Sequence, residues 1–196
     1  MKSIIINGSP RKNGNTGFIC RTISEILDSK GFTTDILNLS EISFSTCTGC
    51  ERCRKDKICT GLNDDLTRYY DLLANTDLWV LGSPVHNYNI TALMKAFIDR
   101  LYCFYDFTDD HPRGFSSRLT SKGIKAVLFG IGEQLSKEDF GFTIEAMEMP
   151  LAALGVQVIE SYRFYGYLEP GSLKKDIKRI EDFYSDFNDI ADRFMC

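Results

Sequence analysis

The stretch KSIIINGSPRKNGNTGFICRTISEIL, residues 2 to 27, carries three signals in succession. Residues 2 to 7 form a short, almost continuously apolar run, the pattern of a strand buried on both faces. Residues 8 to 16 are polar and include two glycines. Ile19, Ile23, Ile26 and Leu27 then recur at i, i+4, i+7 and i+8, one face of a helix. Strand, polar loop and amphipathic helix make the first half of a β-α-β crossover, and the chain repeats the theme. Further strands are predicted at residues 33 to 39, 77 to 82, 124 to 131 and 156 to 164.

Between them run helical stripes: Leu66, Tyr69, Tyr70 and Leu73; Ile90, Leu93, Met94, Phe97, Ile98 and Leu101; Phe140, Ile144, Met147, Leu151 and Leu154; and Leu173, Ile177, Ile180, Tyr184 and Phe187. Each is expected to face the core. Pro150 should kink or break the fourth helix, and Gly155 stands where a helix C-cap is wanted. Alternating strands and helices with right-handed crossovers predict an α/β fold, a doubly wound five-stranded parallel sheet covered on both faces.

The 196 residues, 43% hydrophobic and 26% charged, suit one globular domain over 1–196, with no linker, repeat or low-complexity tract. A net charge of -4 lacks the basic footprint of a nucleic-acid binder. No apolar run is long enough for a membrane span, and the N-terminus has no signal-peptide pattern. A cytoplasmic location is expected, without membrane or nucleic-acid partners. Seven cysteines in a reducing compartment read as thiols or ligands. Of the three outside the cysteine-rich stretch, Cys20 and Cys103 read as small core residues, and Cys196 as an exposed terminus.

The loop Gly8 to Thr16 has the composition of an anion site. Gly8 and Gly14 permit a tight turn, Ser9, Asn13, Asn15 and Thr16 offer side-chain donors, and Arg11 adds a charge. The helix behind it directs unpaired N–H groups and about half a positive charge at the same point. The alternative is a capped turn with Asn15 or Thr16 as N-cap. A nucleoside triphosphate P-loop is excluded, because five residues separate the glycines and Asn15 stands where Lys is required. The G-x-G-x-x-G dinucleotide fingerprint is also missing, which leaves a phosphate monoester.

In such sheets the ligand lies at the carboxyl ends of the strands, where strand order reverses. The loop after the third strand, Ser83 to Asn89, therefore should meet the ligand's flat portion: backbone amides of Val85 to Tyr88 at a polar ring edge, and His86 or Tyr88 on a ring face. The loop Gly130 to Gln134, which includes Gly132, approaches from the other side.

Cys47, Cys50, Cys53 and Cys59 are spaced C-x2-C-x2-C-x5-C. The first three match the compact loop that wraps a [4Fe-4S] cluster, while the fourth comes later than in a ferredoxin run. A helix would fan positions i, i+3 and i+6 over about 120°, so a loop is expected, and Gly49 suits one. The spacing leaves an iron-sulfur cluster, a zinc ion and four metal-free thiols open. Arg52, Arg54, Lys55 and Lys57 either offset thiolate charge or form a solvated face. No Ser/His/Asp or Cys/His triad is evident, and His86 and His111 are too few for a histidine-rich metal site.

Gly8-Ser9-Pro10-Arg11 through Asn15-Thr16, then Ser83-Pro84-Val85, then Lys95-Ala96-Phe97-Ile98-Asp99-Arg100, resemble the flavodoxin-like NAD(P)H-dependent FMN reductase superfamily over nearly the whole chain. With its cysteine run the chain is similar in particular to the iron-sulfur flavoproteins, whose run has this spacing. The resemblance implies a three-layer flavodoxin-like sandwich with strand order 2-1-3-4-5, holding FMN and, in that branch, one [4Fe-4S] cluster. Ser9, Arg11, Asn15 and Thr16 would hold the FMN phosphate, and Pro84, Val85, His86 and Asn87 would line the isoalloxazine. His86 replaces the Tyr common after S-P-V. Residues 102 to 118, rich in Tyr and Phe, are expected to cover the flavin, to meet a partner subunit or to form a satellite core under a long loop.

The implied activity is electron transfer from NAD(P)H to a quinone, a flavin or a similar acceptor, in a dimer or tetramer. One alternative is a carrier working between ferredoxin and an acceptor through a cluster at Cys47 to Cys59. The other is a flavin-free zinc or thiol sensor. Relatives described simply as NAD(P)H-dependent oxidoreductases also carry such a cysteine run.

Overall fold

The computed structural model describes residues 1–195. Cys196, expected to be exposed, lies outside them. In chain order the elements are β1 (Lys2–Asn7), α1 (Asn15–Ser29), β2 (Thr33–Asn38), α2 (Arg52–Asp56), α3 (Tyr70–Ala74), β3 (Leu78–Pro84), α4 (Ala92–Arg100), β4 (Tyr105–Phe107), β5 (Phe115–Ser117), β6 (Lys125–Gly132), α5 (Glu145–Ala153), β7 (Gln157–Tyr165), α6 (Ser172–Lys175) and α7 (Ile177–Met195). The main sheet has the order β2-β1-β3-β6-β7 and is parallel throughout. With the short hairpin β4-β5 counted apart, this is the expected order 2-1-3-4-5. The fold is flavodoxin-like.

Successive residues of the central strands supply two separate cores, as the period-2 geometry of a strand requires. Ile4, Ile6, Trp79, Leu81, Ala126 and Leu128 face α3, α4 and α5. Ile5, Leu78, Val80, Val127 and Phe129 face α1, α6 and α7. Gly82 is dictated by this packing, since a Cβ there would fall 2.1 Å from the Phe129 ring. Cys20 and Cys103 are buried, as expected.

Three local expectations need correction. Pro150 lies inside α5, which continues through it; it forfeits one helical N–H, and the Leu154 N–H to Pro150 O bond resumes the ladder at 3.0 Å. The stripe Leu66 to Leu73 divides into a 3-10 turn, Asp65–Tyr69, and α3. The last stripe holds at Leu173, Ile180 and Phe187 but fails at Ile177 and Tyr184. Ile177 is 67% and Tyr184 45% exposed, whereas Phe183, Phe187, Ile190 and Ala191 are buried. Two apolar stripes overlap on this helix, and the aromatic contacts of Phe183 with Tyr162 and Phe164 of β7, at 4.9 and 5.4 Å, select the second.

Gly155 behaves as read. It has φ +75, and the bonds Gly155 N–H to Ala152 O and Val156 N–H to Leu151 O close α5 as a Schellman motif. Among the described residues no helix is long and apolar enough to cross a membrane.

Chemical denaturation distinguishes the two stripes of α7. Phe183→Ala should cost about 3 to 5 kcal/mol through the cavity it leaves, while Tyr184→Ala should stay within about 0.5 kcal/mol of wild type; comparable losses would refute the packing described.

Candidate functional site

The loop after β1 is held by its own hydrogen bonds and packing. Gly8 N–H bonds to Gly82 O at 2.8 Å, and a Cβ on Gly8 would lie 2.9 Å from the Met94 side chain. Asn7 Oδ1 accepts from Ser9 N–H at 3.1 Å, and Ser9 Oγ accepts from Arg11 N–H at 3.1 Å. The N-cap of α1 is Gly14, and no side chain caps the helix. Neither Asn15 nor Thr16 fills that position, so the first helical N–H groups remain for an outside acceptor.

The expected donors separate into two groups. Asn15 Nδ2 donates to Glu169 O (3.0 Å) and Ser172 Oγ (3.2 Å), and its Oδ1 accepts from Leu173 N–H (3.3 Å), so it fastens α6 rather than reaching for an anion. Arg11 Nη1 donates to Leu168 O at 2.9 Å, which leaves its other donors. Thr16, only 2% exposed, lines the cavity at the helix end. Asn13 is exposed and is not among the residues lining the cavity beside the loop.

The loop after β3 is a tight turn in which Asn87 and Tyr88 both take left-handed conformations, φ 50 and 63. His86 and Asn89 exchange N–H to O bonds of 2.8 and 3.1 Å across it. Tyr88 O accepts from Phe142 N–H at 2.8 Å, and Gly141, φ +54, leaves room for that carbonyl because a Cβ there would come within 2.1 Å of it. At the base of the turn Thr91 caps α4 by accepting from Met94 N–H (3.1 Å) and donates its hydroxyl proton to Gly8 O (2.7 Å). One residue thereby binds both loops.

These loops frame two cavities at the carboxyl edge of β1, β3 and β6. The first, about 160 Å³, brings together Ser9, Arg11, Asn15, Thr16, Pro84, Val85 and His86. The second, about 240 Å³, contains Val85, Asn87 and Gly132. His86 lines the first of these cavities, and Tyr88, 57% exposed, lines the second. Sequence reasoning missed Tyr167 and Leu168, which line the first cavity from the loop after β7. No motif marks them; only the topology, which returns every parallel strand to the same edge, could have found them.

The four cysteines line a third cavity of about 220 Å³ with Tyr102, Gly49 and Gly61. The segment is not wholly a loop, because Cys53 sits in the single-turn α2. Glu51 and Lys57 flank that turn in left-handed conformations, φ 55 and 60, and a Cβ on Gly61 would meet Cys50 Sγ at 2.4 Å unless that side chain moved. Among the described residues no three His, Cys, Asp or Glu side chains converge tightly enough for a single metal ion. A tetrahedral zinc would need its sulfurs about 3.8 Å apart.

Bonding from Arg52 N–H, aided by the Thr48 hydroxyl and the Arg52 charge, holds the Cys50 thiol below its ordinary range. Burial, and then the neighbouring Cys59, Cys47 and Cys50, push Cys53 up. Other cations of the loop meet carboxylates: Arg54 pairs with Glu51 at 3.2 Å, and Lys57 with Asp106.

The aromatic stretch 102 to 118 does not cover the cleft at the sheet edge. It folds as the β4-β5 hairpin beside the cysteine loop, with Tyr102 stacked on Phe107 at 4.9 Å and Arg54 over Phe107 at 5.7 Å. Arg118 Nη2 donates to Lys57 O at 2.6 Å. Cys103 and Phe104 at its start join the main core, while Phe115 of the hairpin is 60% exposed.

Arg100 anchors the whole loop. Its side chain is fully buried and forms a two-pronged pair with Asp64, 2.7 and 3.1 Å, while bonding Ser45 O at 2.8 Å and Tyr70 Oη at 3.0 Å. Burial alone would raise the Asp64 carboxyl, but the Arg100 guanidinium and the Ser45 N–H outweigh it and hold it below the usual range.

A model of the NADPH-dependent FMN reductase family matches residues 1–134. An iron-sulfur flavoprotein of Archaeoglobus fulgidus is 37% identical over 135 residues, covering 68% of this chain and 57% of its own length. An iron-sulfur flavoprotein of Clostridioides difficile is 33% identical over 102 residues, 50% of this chain and 44% of that protein. The chain spans about half the length of the curated relatives it matches. Among solved structures, an FMN-dependent NADH-azoreductase from Bacillus anthracis in complex with FMN has TM-score 0.70 at 14% identity, covering 99% of both chains. An archaeal flavodoxin has TM-score 0.57 at 16% identity, covering 98% of this chain and 99% of its own. At these identities the structural likeness is one of fold.

Asp64→Asn should cost about 3 to 5 kcal/mol in urea unfolding, since Arg100 keeps its charge in the core. The depressed folded pKa of Asp64 adds stability above its unfolded value, which is lost as pH falls through the folded one. The wild type should therefore lose stability below about pH 4 more steeply than the variant; parallel acid limbs would dissolve the assignment.

Proposed function

This chain belongs to the NADPH-dependent FMN reductase family, and from that membership we propose an FMN-dependent oxidoreductase that takes electrons from NAD(P)H and delivers them to a quinone, a flavin or a similar small acceptor. FMN is the family's cofactor. The observation that carries the reading is the joined pair of cavities at the strand-order reversal, an uncapped helix N-terminus at one end and the Asn87-Tyr88 turn at the other. Residues 1–196 are read as one FMN-binding domain, with a cytoplasmic location.

The residues present suit FMN. The Thr16 hydroxyl and the first N–H groups of α1 would hold the phosphate with help from Arg11, while Ser9 and Asn15 fix the loop and the neighbouring chain. Pro84, Val85 and His86 would form the wall along the cofactor, with Asn87, Tyr88 and Gly132 at the ring. Bound FMN supplies the hydride and electron chemistry itself. The protein then needs no side-chain nucleophile, and its part is to orient the ring and limit water.

A second reading keeps FMN and adds a [4Fe-4S] cluster at Cys47, Cys50, Cys53 and Cys59, with ferredoxin as a possible donor class. The four cysteines around one hollow of about 220 Å³, together with the iron-sulfur flavoprotein relatives, support it. Such a cluster would supply one-electron transfer; the chain's own contribution is the thiol set, the cradle at Gly61 and the cover of Tyr102.

A homodimer or homotetramer is also proposed. Tyr88, Phe142 and Met149 are 57, 69 and 73% exposed, and the latter two border an open groove between α4 and α5 next to the ring turn. A second copy seated there would shield the ring end that the aromatic hairpin leaves open. Sedimentation that found only monomers of the FMN-loaded protein would reject this.

Anaerobically purified protein should show the paired absorption bands of a flavin, and Thr16→Ala should weaken FMN binding by about tenfold for a lost hydrogen bond to a charged group. Unchanged affinity would remove Thr16 from the phosphate site. If the cluster reading holds, Cys50→Ala should abolish bound iron while flavin is kept; a full iron complement in the variant would exclude the ligand set.

A further inference from the structure

Glu133 is an exposed carboxylate at the rim of the cleft. It lines both the helix-end and the ring-end cavities, a position it shares with Val85. A carboxylate at the edge of an anion site opposes the anion it neighbours. Internal bonding does not account for it, because Glu133 makes no ion pair among the described residues. Nor can the strand end carry it away. Gly132 O accepts from Tyr167 N–H at 3.0 Å, and a Cβ on Gly132 would press on Phe140 at 3.0 Å and Val85 at 3.2 Å, so β6 is wedged where it stands.

An ionised carboxylate accepts hydrogen bonds and donates none. Phosphate oxygens offer it nothing, whereas hydroxyl groups do. The part of a flavin mononucleotide that passes from the phosphate end to the ring end is its polyhydroxylated chain, and Glu133 borders both ends of that passage. We propose that Glu133 determines specificity for the polyol linker of the flavin, its carboxylate accepting O–H bonds from the chain's hydroxyls. The inference rests on the FMN reading of the cleft. On it, the carboxylate's repulsion of the phosphate is offset by charge-assisted bonds that an alkyl linker cannot make.

The test is a two-by-two comparison on full-length protein freed of flavin. FMN and a phosphorylated flavin whose linker is a plain alkyl chain are titrated by fluorescence quenching into wild type and Glu133→Ala. Glu133→Ala should weaken FMN about tenfold, the size of a lost charge-assisted bond, while the alkyl analogue, which meets only the carboxylate's repulsion, binds the variant at least as tightly as wild type, and that retained binding shows that the variant is folded. Glu133→Gln, which keeps an acceptor oxygen without the charge, should fall between. Equal loss for both ligands, or no loss for FMN, overturns the role of Glu133. Wild type that binds neither ligand overturns the FMN reading itself, and the two failures are thereby told apart.

Discussion

The register of β1 against β3 governs the molecule's useful geometry. Ser3 to Asn7 pair with Leu78 to Gly82, and the bond from Gly8 N–H to Gly82 O extends that pairing by one step at 2.8 Å. Chain connections leave these two strands in opposite directions, so a crevice opens between their carboxyl ends without any residue being spent on making it. The close approach tolerates no side chain at Gly82, where Phe129 fills the space, and little at Gly8, where Met94 does. The mouth of the cleft is thus an outcome of backbone pairing and of two absent side chains.

Helix α4 joins that mouth to the cysteine-lined hollow. At its start Thr91 holds Gly8 O; at its end Arg100 holds Asp64 and Ser45. Nine residues at about 1.5 Å each make a strut of about 14 Å. Its buried guanidinium is compensated by the paired carboxylate and two further acceptors, the arrangement that makes burying a charge tolerable. The two cavities therefore share one rigid member while lying at opposite ends of it.

Much of this was legible in the residues. The apolar runs of β1, β3 and β6 could only be central strands, and Gly8 to Thr16 could only be a tight polar turn into a helix. What escaped depended on distant partners. Asn15 looks like an anion donor until α6, more than 150 residues later, is seen to consume its carboxamide. Tyr184 fits the helical period as well as Phe183 does, and the ring of Tyr162 decides between them. The aromatic stretch after α4 left a flavin cover, a partner contact and a satellite core open, and its place beside the cysteine loop is set by contacts of Arg54, Lys57 and Arg118 that no local pattern reveals. Pairing of charges across a fold is not a periodic property.

Gly141 has a consequence for how this architecture can diversify. Its φ of +54 and the Tyr88 carbonyl in the space of its missing side chain bind the far end of the loop after β6 to the turn after β3. The intervening positions 134 to 138, apart from the half-buried Ser136, face outward. Length and chemistry can drift there at little cost, provided the segment lands again on the same glycine. A lineage could reshape the rim of the crevice through that bow of chain while its floor stayed constant.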